Sequence, residues 1–410
     1  MAFASRGRVR NMKKTKIAAI DVGTTKVCTI MADIYGSGEF RILGVGIAPS
    51  SGLQKGMVTN FNEVKESIRQ SVRRAEQVAG YRLESAYVGV TGKHISSVNS
   101  QGVVAITRND QLVRPEDLKR VLEVASSDQV SEDREVLHVI PRTYTVDGQT
   151  GVRNPVGMHG FRLDVETHII TAAATSIQNL TKCLTGIGIN IDGMLLAPLA
   201  SAEAVLSEEE RQSGALVADI GGGTTGIAVF KDDSIYHTSV LPVAGEQISQ
   251  DIAVGLGLSF DLAEEMKKKY GNVMPVHEEE DDRTLTEGGH SISYLDLSEI
   301  IRIRVEELLR LIVLELPHND YAKLIPSGLV LTGGTAKLPG IAELGREVTH
   351  LPVRIGVPPD LHGISDTLLD PACATSVGIL LWRLKGESAP GWQAKGGIQR
   401  FVSKFFRLLP

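Results

Sequence analysis

Two stretches of this 410-residue chain, roughly 200 residues apart, carry the same local pattern: Lys16-Ile-Ala-Ala-Ile-Asp21-Val-Gly23-Thr24-Thr25-Lys26 and Ala215-Leu-Val-Ala-Asp219-Ile-Gly221-Gly222-Gly223-Thr224-Thr225. In each, four apolar residues predict a short buried strand with an Asp at its end, and the glycines that follow permit a tight turn. Apolar residues resume at once, as Val27-Cys28-Thr29-Ile30-Met31 and Ile227-Ala228-Val229-Phe230, so each loop joins two strands. Walker A and the Rossmann fingerprint both need a helix there, and neither pattern is present. Backbone N–H groups and Thr hydroxyls at such a turn can cradle an anion. Either loop alone is more often a plain glycine hairpin than a nucleotide site, but the duplication reverses that reading and implies two similar halves facing one phosphate-bearing ligand. Asp21 and Asp219 suit a hydrated Mg²⁺, which is commonly held by one or two carboxylates plus substrate phosphates.

A third loop of related design is Leu329-Val-Leu331-Thr332-Gly333-Gly334-Thr335, an apolar strand running into paired glycines ahead of a helical stretch at 341–348. Close backbone approach at Gly333 and Gly334 would let an adenine ring or a ribose lie against the chain. In order, the three loops resemble the two phosphate motifs and the adenosine motif of the actin, heat-shock chaperone and sugar-kinase superfamily. That resemblance implies ATP as ligand, held at Gly23, Thr24, Thr25, Lys26, Gly221, Gly222, Gly223, Thr224, Thr225, Gly333 and Gly334, with Mg²⁺ reached through water from Asp21 and Asp219.

Further motifs narrow the match. Val88-Gly-Val-Thr-Gly92-Lys93-His94-Ile95, Val136-Leu-His-Val-Ile-Pro141, Asn154-Pro-Val-Gly157, Leu199-Ala-Ser201-Ala-Glu203 and Pro242-Val-Ala-Gly245-Glu246 resemble the FtsA family of bacterial cell-division proteins. The resemblance covers about residues 13–384 and the C-terminal tail. It implies an α/β, actin-like ATPase fold with duplicated RNase H-like lobes, a relocated small subdomain called 1C, and a C-terminal amphipathic helix.

Composition agrees with a folded body of more than one core: 42% of residues are hydrophobic and 22% charged. A net charge of −6 argues against nonspecific nucleic-acid binding. The three cysteines, Cys28, Cys183 and Cys373, have no metal or redox spacing and read as buried thiols of a reducing compartment. The ten histidines form no zinc pattern. No apolar stretch is long enough to span a bilayer, and residues 1–12, basic but without an apolar core, read as a disordered leader rather than a secretory signal. Met12 is an alternative start.

The positions of the loops predict the organisation. Subdomain 1A is expected at 13–83, 164–213 and 350–384, with a helix over 62–79 whose Val64, Ile68, Val72, Ala75 and Ala79 share a face. Subdomain 1C is expected as an insertion at 84–163, 2A at 214–246 and 318–349, and 2B at 247–317. The family resemblance gives 1C a part in self-assembly and in contacts with later divisome membrane proteins. Within 2B, a long helix is expected over 298–316, with Ile301, Val305, Leu308 and Ile312 at helical spacing.

Glu264 and Lys267 lie one turn apart on a short helix and read either as a solvated ion pair or as groups that hold ribose hydroxyls and the adenine edge. The resemblance favours the binding role, with Gly245 and Glu246 beside them. It also implies that 2B binds the C-terminal peptide of the tubulin-like ring protein FtsZ, for which Arg302 and Arg304 are candidate anchors or else solvated charges. Glu203 precedes Asp219 at a distance resembling that of the water-orienting residue in related ATPases. It could act on the attacking water or be a helix-surface Glu, and at most slow ATP hydrolysis is expected.

The segment 385–397 has linker composition. In the last thirteen residues Ile398, Phe401, Val402, Phe405, Phe406, Leu408 and Leu409 share one helical face, with Arg400, Ser403, Lys404 and Arg407 on the other. Such a basic amphipathic helix is too short to span a bilayer but suited to lie in an anionic interface, as the family's membrane-targeting tail does. The resemblance therefore implies a homopolymer at the cytoplasmic face of the cell membrane, peripheral and septal, tethering FtsZ. A sugar kinase or a pilus-assembly actin-like protein is the alternative.

Overall fold

The computed structural model describes residues 15–35, 40–127, 131–275, 283–317, 321–363 and 366–388. The first repeated motif is a hairpin: β1 (Thr15–Val22) and β2 (Lys26–Ile34) pair antiparallel, with Asp21 opposite Cys28. β3 (Phe40–Pro49) joins the far edge of β2, and a small hairpin, β4 (Leu53–Gln54) and β5 (Met57–Val58), leads to α1 (Phe61–Ala79). Asn60 caps α1 by accepting from the N–H groups of Asn62 and Glu63, and Gly80 at φ 77° ends it. Val64, Ile68, Val72 and Ala75 face the sheet as expected. The helix sits so close to β3 that a Cβ on Gly46 would lie 2.0 Å from the Ser71 carbonyl oxygen.

β6 (Ser85–Val90) then runs parallel to β1. The insertion follows: β7 (Ile95–Ala105), α2 (Pro115–Ser127), β8 (Arg134–Val146), β9 (Gln149–Val152) and β10 (Arg162–Ala173) form a sheet of order β7-β10-β8-β9. Val104, Val121, Ala125, Tyr144, Leu163 and Val165 give it a core of its own. The insertion is thus shifted from the 84–163 expected. β6 is claimed by the first lobe through its pairing with β1, and β10 is claimed by the insertion through its pairing with β7 and β8. Lobe one resumes with α3 (Ala174–Thr185) and β11 (Asn190–Leu196), which lies parallel to β6. α4 (Ala197–Val205) and α5 (Glu208–Ser213) cross to the second half.

There the topology repeats. β12 (Ala215–Ile220), β13 (Thr225–Lys231) and β14 (Ser234–Leu241) are an antiparallel meander. After α6 (Gly245–Leu256), α7 (Phe260–Tyr270), the hairpin β15 (Thr284–Glu287) and β16 (His290–Ser293), α8 (Tyr294–Leu314) and α9 (Tyr321–Leu324), β17 (Leu329–Thr332) lies parallel to β12. α10 (Ile341–Thr349) precedes β18 (Val353–Ile355), parallel to β17. The orders β3-β2-β1-β6-β11 and β14-β13-β12-β17-β18 are the same three antiparallel and two parallel strands built twice.

Ile301, Val305, Leu308 and Ile312 of α8 are buried, and they share one continuous core with Leu216 and Ala218 of β12 and Ile248 of α6. Burial of each such side chain stabilises the lobe by about 1.5–3 kcal/mol. Val353–Ile355, expected in lobe one, completes the second sheet instead. The return to lobe one is α11 (Ala374–Ser388), whose Ala374, Val377 and Leu380 share a core with Leu199, Ala200 and Ala202 of α4. α11 runs four residues into the segment expected as a linker. The expected leader at 1–12 and amphipathic helix at 398–410 lie outside the described residues. Among the described residues no helix is long and apolar enough to cross a membrane.

Candidate functional site

The two hairpin loops meet face to face. A Cβ on Gly222 would lie 2.3 Å from Thr25 Cγ2, and one on Gly223 would lie 2.7 Å from Thr24 Oγ1, so only glycine lets the second loop come this close to the first. Behind the second loop, the start of α6 clamps the turn: Gly245 N–H and Glu246 N–H donate to the carbonyls of Gly221 (3.1 Å) and Gly222 (2.8 Å). Thr335 Oγ1 donates to the same Gly221 carbonyl at 2.8 Å, tying the third loop to the second. Gly333, at φ 87°, packs against Asp219, whose Oδ1 a Cβ would approach to 2.4 Å, whereas a Cβ on Gly334 would meet nothing nearer than Ala372 Cβ at 3.9 Å. All three predicted loops therefore converge at one cleft between the lobes.

Asp21 and Asp219 end equivalent strands of the two sheets. Burial drives the Asp21 carboxyl up to about 7, against the pull of Lys26 and with a further push from Asp219. Asp219 is also raised by burial, although Ser201 and Thr375 donate to its Oδ2 at 2.5 and 2.8 Å. Ser376 Oγ lies 3.5 Å from Asp21 Oδ2. Two desolvated carboxylates with few competing donors fit a hydrated divalent cation, and no larger group of His, Cys, Asp and Glu suited to a metal occurs among the described residues. Lys26 donates to Cys373 Sγ at 3.4 Å beneath the first loop.

Glu264 and Lys267 form an ion pair of 2.6 Å, but not a solvated one. Lys267 Nζ also donates to Gly245 O and Ser249 Oγ, each at 2.8 Å, so the pair locks α7 to the start of α6 and through it to the second loop. Burial raises the Glu264 carboxyl, yet the Lys267 charge and the hydrogen bonds from Lys267, Ser249 and Lys268 bring it below its ordinary value overall. Glu246 is pushed up, by burial and then by Glu264.

Three expected roles are not what the structure places. The Thr225 hydroxyl donates to Val243 O at 2.7 Å, so its proton serves the sheet and not a phosphate. Glu203 is paired with Arg211 at 3.0 Å, both side chains being under a tenth exposed. Residues two apart on an α-helix point about 200° apart, so with Ser201 on Asp219, Glu203 faces α5 and not the cleft. Arg302 and Arg304 are already engaged: Arg302 pairs with Glu347 (2.9 Å) and Glu306, and Arg304 with Asp251 and Glu307 (2.5 Å). They tie α8 to α10 and α6 rather than standing free for an acidic peptide.

Sequence reasoning missed Ser201, Thr375, Ser376 and Cys373. The hydroxyls were visible as small polar residues in Leu199-Ala-Ser201-Ala and Ala374-Thr-Ser376, but nothing local says that two distant helices meet at one carboxylate.

A family model for "Cell division protein FtsA" matches residues 216–378, and one for the "SHS2 domain inserted in FTSA" matches 92–171, which coincides with the four-stranded insertion. The cell division protein FtsA of Pseudomonas aeruginosa is 40% identical over 377 residues, covering 91% of this chain and 90% of that protein. FtsA of Escherichia coli is 35% identical, with 89% of each chain covered, and FtsA of Bacillus subtilis 35%, covering 91% of this chain and 84% of that protein. Among solved structures, the PilM–PilN type IV pilus biogenesis complex superposes with a TM-score of 0.63 at 18% identity over 89% of this chain and 97% of that one. MreB5 of Spiroplasma citri bound to ADP does so with a TM-score of 0.54 at 13% identity, over 92% and 99%. These likenesses place the chain's architecture among the actin-like folds.

Proposed function

The chain belongs to the FtsA family of cell division proteins, and from that premise we propose that it is an ATP-dependent membrane tether for the division ring. ATP binds in the cleft, with its phosphates between the loops at Gly23–Thr25 and Gly221–Thr224 and its adenosine against Gly333 and Gly334. Asp21 and Asp219 would hold a hydrated Mg²⁺ beside those phosphates. When bound, the cation would neutralise phosphate charge; the chain's own part is to hold the two carboxylates, bring the loops together and exclude bulk water. The observation that carries this reading is the convergence of two homologous Asp-ended hairpins and a paired-glycine loop on one cleft. Because Glu203 is engaged elsewhere, nucleotide occupancy rather than rapid turnover is the signal.

Membership of the family sets aside the sugar-kinase and pilus-assembly alternatives. On this reading the nucleotide-bound protein self-assembles, the basic, apolar sequence 398–410 attaches it to the cytoplasmic leaflet at the septum, and the filament holds FtsZ and later division proteins there. One such short segment binds weakly, so avidity through the filament supplies firm attachment. Each surface cation among Arg400, Lys404 and Arg407 adds about 1 kcal/mol on anionic lipid. The test is cosedimentation with anionic liposomes and FtsZ, with and without MgATP, of the full chain and of a version ending at Gln393. ATP-dependent binding that brings FtsZ down only with the full chain is expected. Equal binding by both versions would overturn the membrane half of the proposal.

A further inference from the structure

Asp219 belongs to lobe two, and the groups that hold it come from α4, which shares a core with the sheets of both lobes, and from α11, which packs on the sheet of lobe one. Its Oδ2 accepts from Ser201 Oγ of α4 at 2.5 Å and from Thr375 Oγ1 of α11 at 2.8 Å, and the two hydroxyl oxygens are 2.9 Å apart. Ser201 is fully buried and Thr375 is 6% exposed, so neither hydroxyl has water as an alternative partner. Among the described residues no hydrogen bond reaches Asp219 Oδ1, the oxygen beside Gly333.

The two hydroxyls are themselves fixed. α4 and α11 cross in backbone contact, a Cβ on Gly378 falling 1.7 Å from Ala200 O, so Ser201 follows the contact residue on one helix and Thr375 lies one turn before it on the other. The same segment of chain reaches the rest of the cleft: Pro371 O accepts from Gly333 N–H at 3.1 Å, Cys373 accepts from Lys26, and Ser376 lies at Asp21. A carboxylate pinned by two fixed donors on one oxygen can turn only its other oxygen toward a ligand.

We propose that Ser201 and Thr375 are positioning residues that fix Asp219, so that its Oδ1 is presented to the water shell of a nucleotide-bound divalent cation. This rests on the reading of the cleft as an ATP and Mg²⁺ site.

The experiment is calorimetric titration of the full-length protein with ATP, once with Mg²⁺ and once with chelator, for wild type, Ser201→Ala, Thr375→Val and Thr375→Ser. Loss of a partner that orients a metal-facing carboxylate costs about 10–100-fold in metal affinity. That loss is expected in MgATP affinity for Ser201→Ala and Thr375→Val, with metal-free ATP binding unchanged and Thr375→Ser near wild type. Equal losses with and without Mg²⁺, or no loss in either, would overturn the positioning role. Wild-type protein that binds neither form would instead overturn the nucleotide reading itself.

Discussion

Lys26 donates a hydrogen bond at 3.4 Å to Cys373 Sγ, joining the first hairpin loop to a residue 347 positions further along the chain. Around that contact the Cys373 thiol is drawn down to about 6, first by the hydrogen bond from Cys28 and then, against burial, by the Lys26 charge. Cys28 is pushed up in turn. Cys373 is therefore the more acidic thiol of the pair, beside the Lys26 ammonium. Its ultraviolet thiolate absorbance should titrate near pH 6 in the wild type. Cys28→Ala should move that midpoint up the most, and Lys26→Met should also raise it. Cys183, raised by its own burial, stays protonated over this range. A Cys373 midpoint at the ordinary thiol value in wild type would contradict the arrangement.

The paired glycines of the third loop should separate by mechanism. Gly333 has φ 87° and a Cβ there would lie 2.4 Å from Asp219 Oδ1, so Gly333→Ala should lower thermal stability by about 1–3 kcal/mol and distort the site. Gly334→Ala, with open space before it, should melt like wild type. Gly334→Asp should also fold but bind ATP more weakly, because it places a carboxylate at the cleft. Melting curves with calorimetry on the three variants check the order, and Gly333→Ala behaving like Gly334→Ala would refute it.

Asp21 gives a pH dependence whose sign is fixed. A carboxyl raised from 3.8 to about 7 in the folded protein binds more protons folded than unfolded between those values. Nucleotide-free stability from this group is therefore fully present below pH 3.8 and lost as pH rises through 7. Asp21→Asn should remove that slope and raise the melting temperature of the nucleotide-free protein at pH 8 by about 2 °C or more. The same variant should lose the stabilisation that MgATP gives the wild type. Parallel pH profiles for the two proteins without ligand would show that Asp21 is not desolvated as described.

What the sequence disclosed was local. Strand, turn and carboxylate at Asp21 and Asp219, the glycine turn at 333, and the buried face of α1 through Val64, Ile68 and Val72 all follow from spacing within a dozen residues. What it withheld was pairing. β6 and β10 read equally well in either neighbouring sheet, and only their partners decide that the insertion begins after Val90 and ends at Ala173. Cys28 and Cys373 look scattered along the chain yet meet under the first loop, and Arg302 looks solvent-facing until α10 brings Glu347 to it. Charge roles in particular are legible only once the opposite element is known.

Glu203 shows the consequence most directly. A carboxylate that orients water would leave folding intact when removed and lower only turnover. In this structure its loss leaves the Arg211 guanidinium, 8% exposed and stacked 5.0 Å from the Phe230 ring, buried without its counter-charge. Removing one partner of a buried pair costs about 3 kcal/mol or more. Glu203→Ala should accordingly destabilise the protein by that order, while MgATP affinity per folded molecule stays near wild type. Replacing both partners, as Glu203→Met with Arg211→Met, should recover much of the loss, since an apolar pair carries no desolvation penalty. Chemical denaturation of the two single variants and the double variant gives the coupling energy between them. A Glu203→Ala protein as stable as wild type, but slower in ATP hydrolysis, would return this residue to the cleft and remove the ion pair from the account.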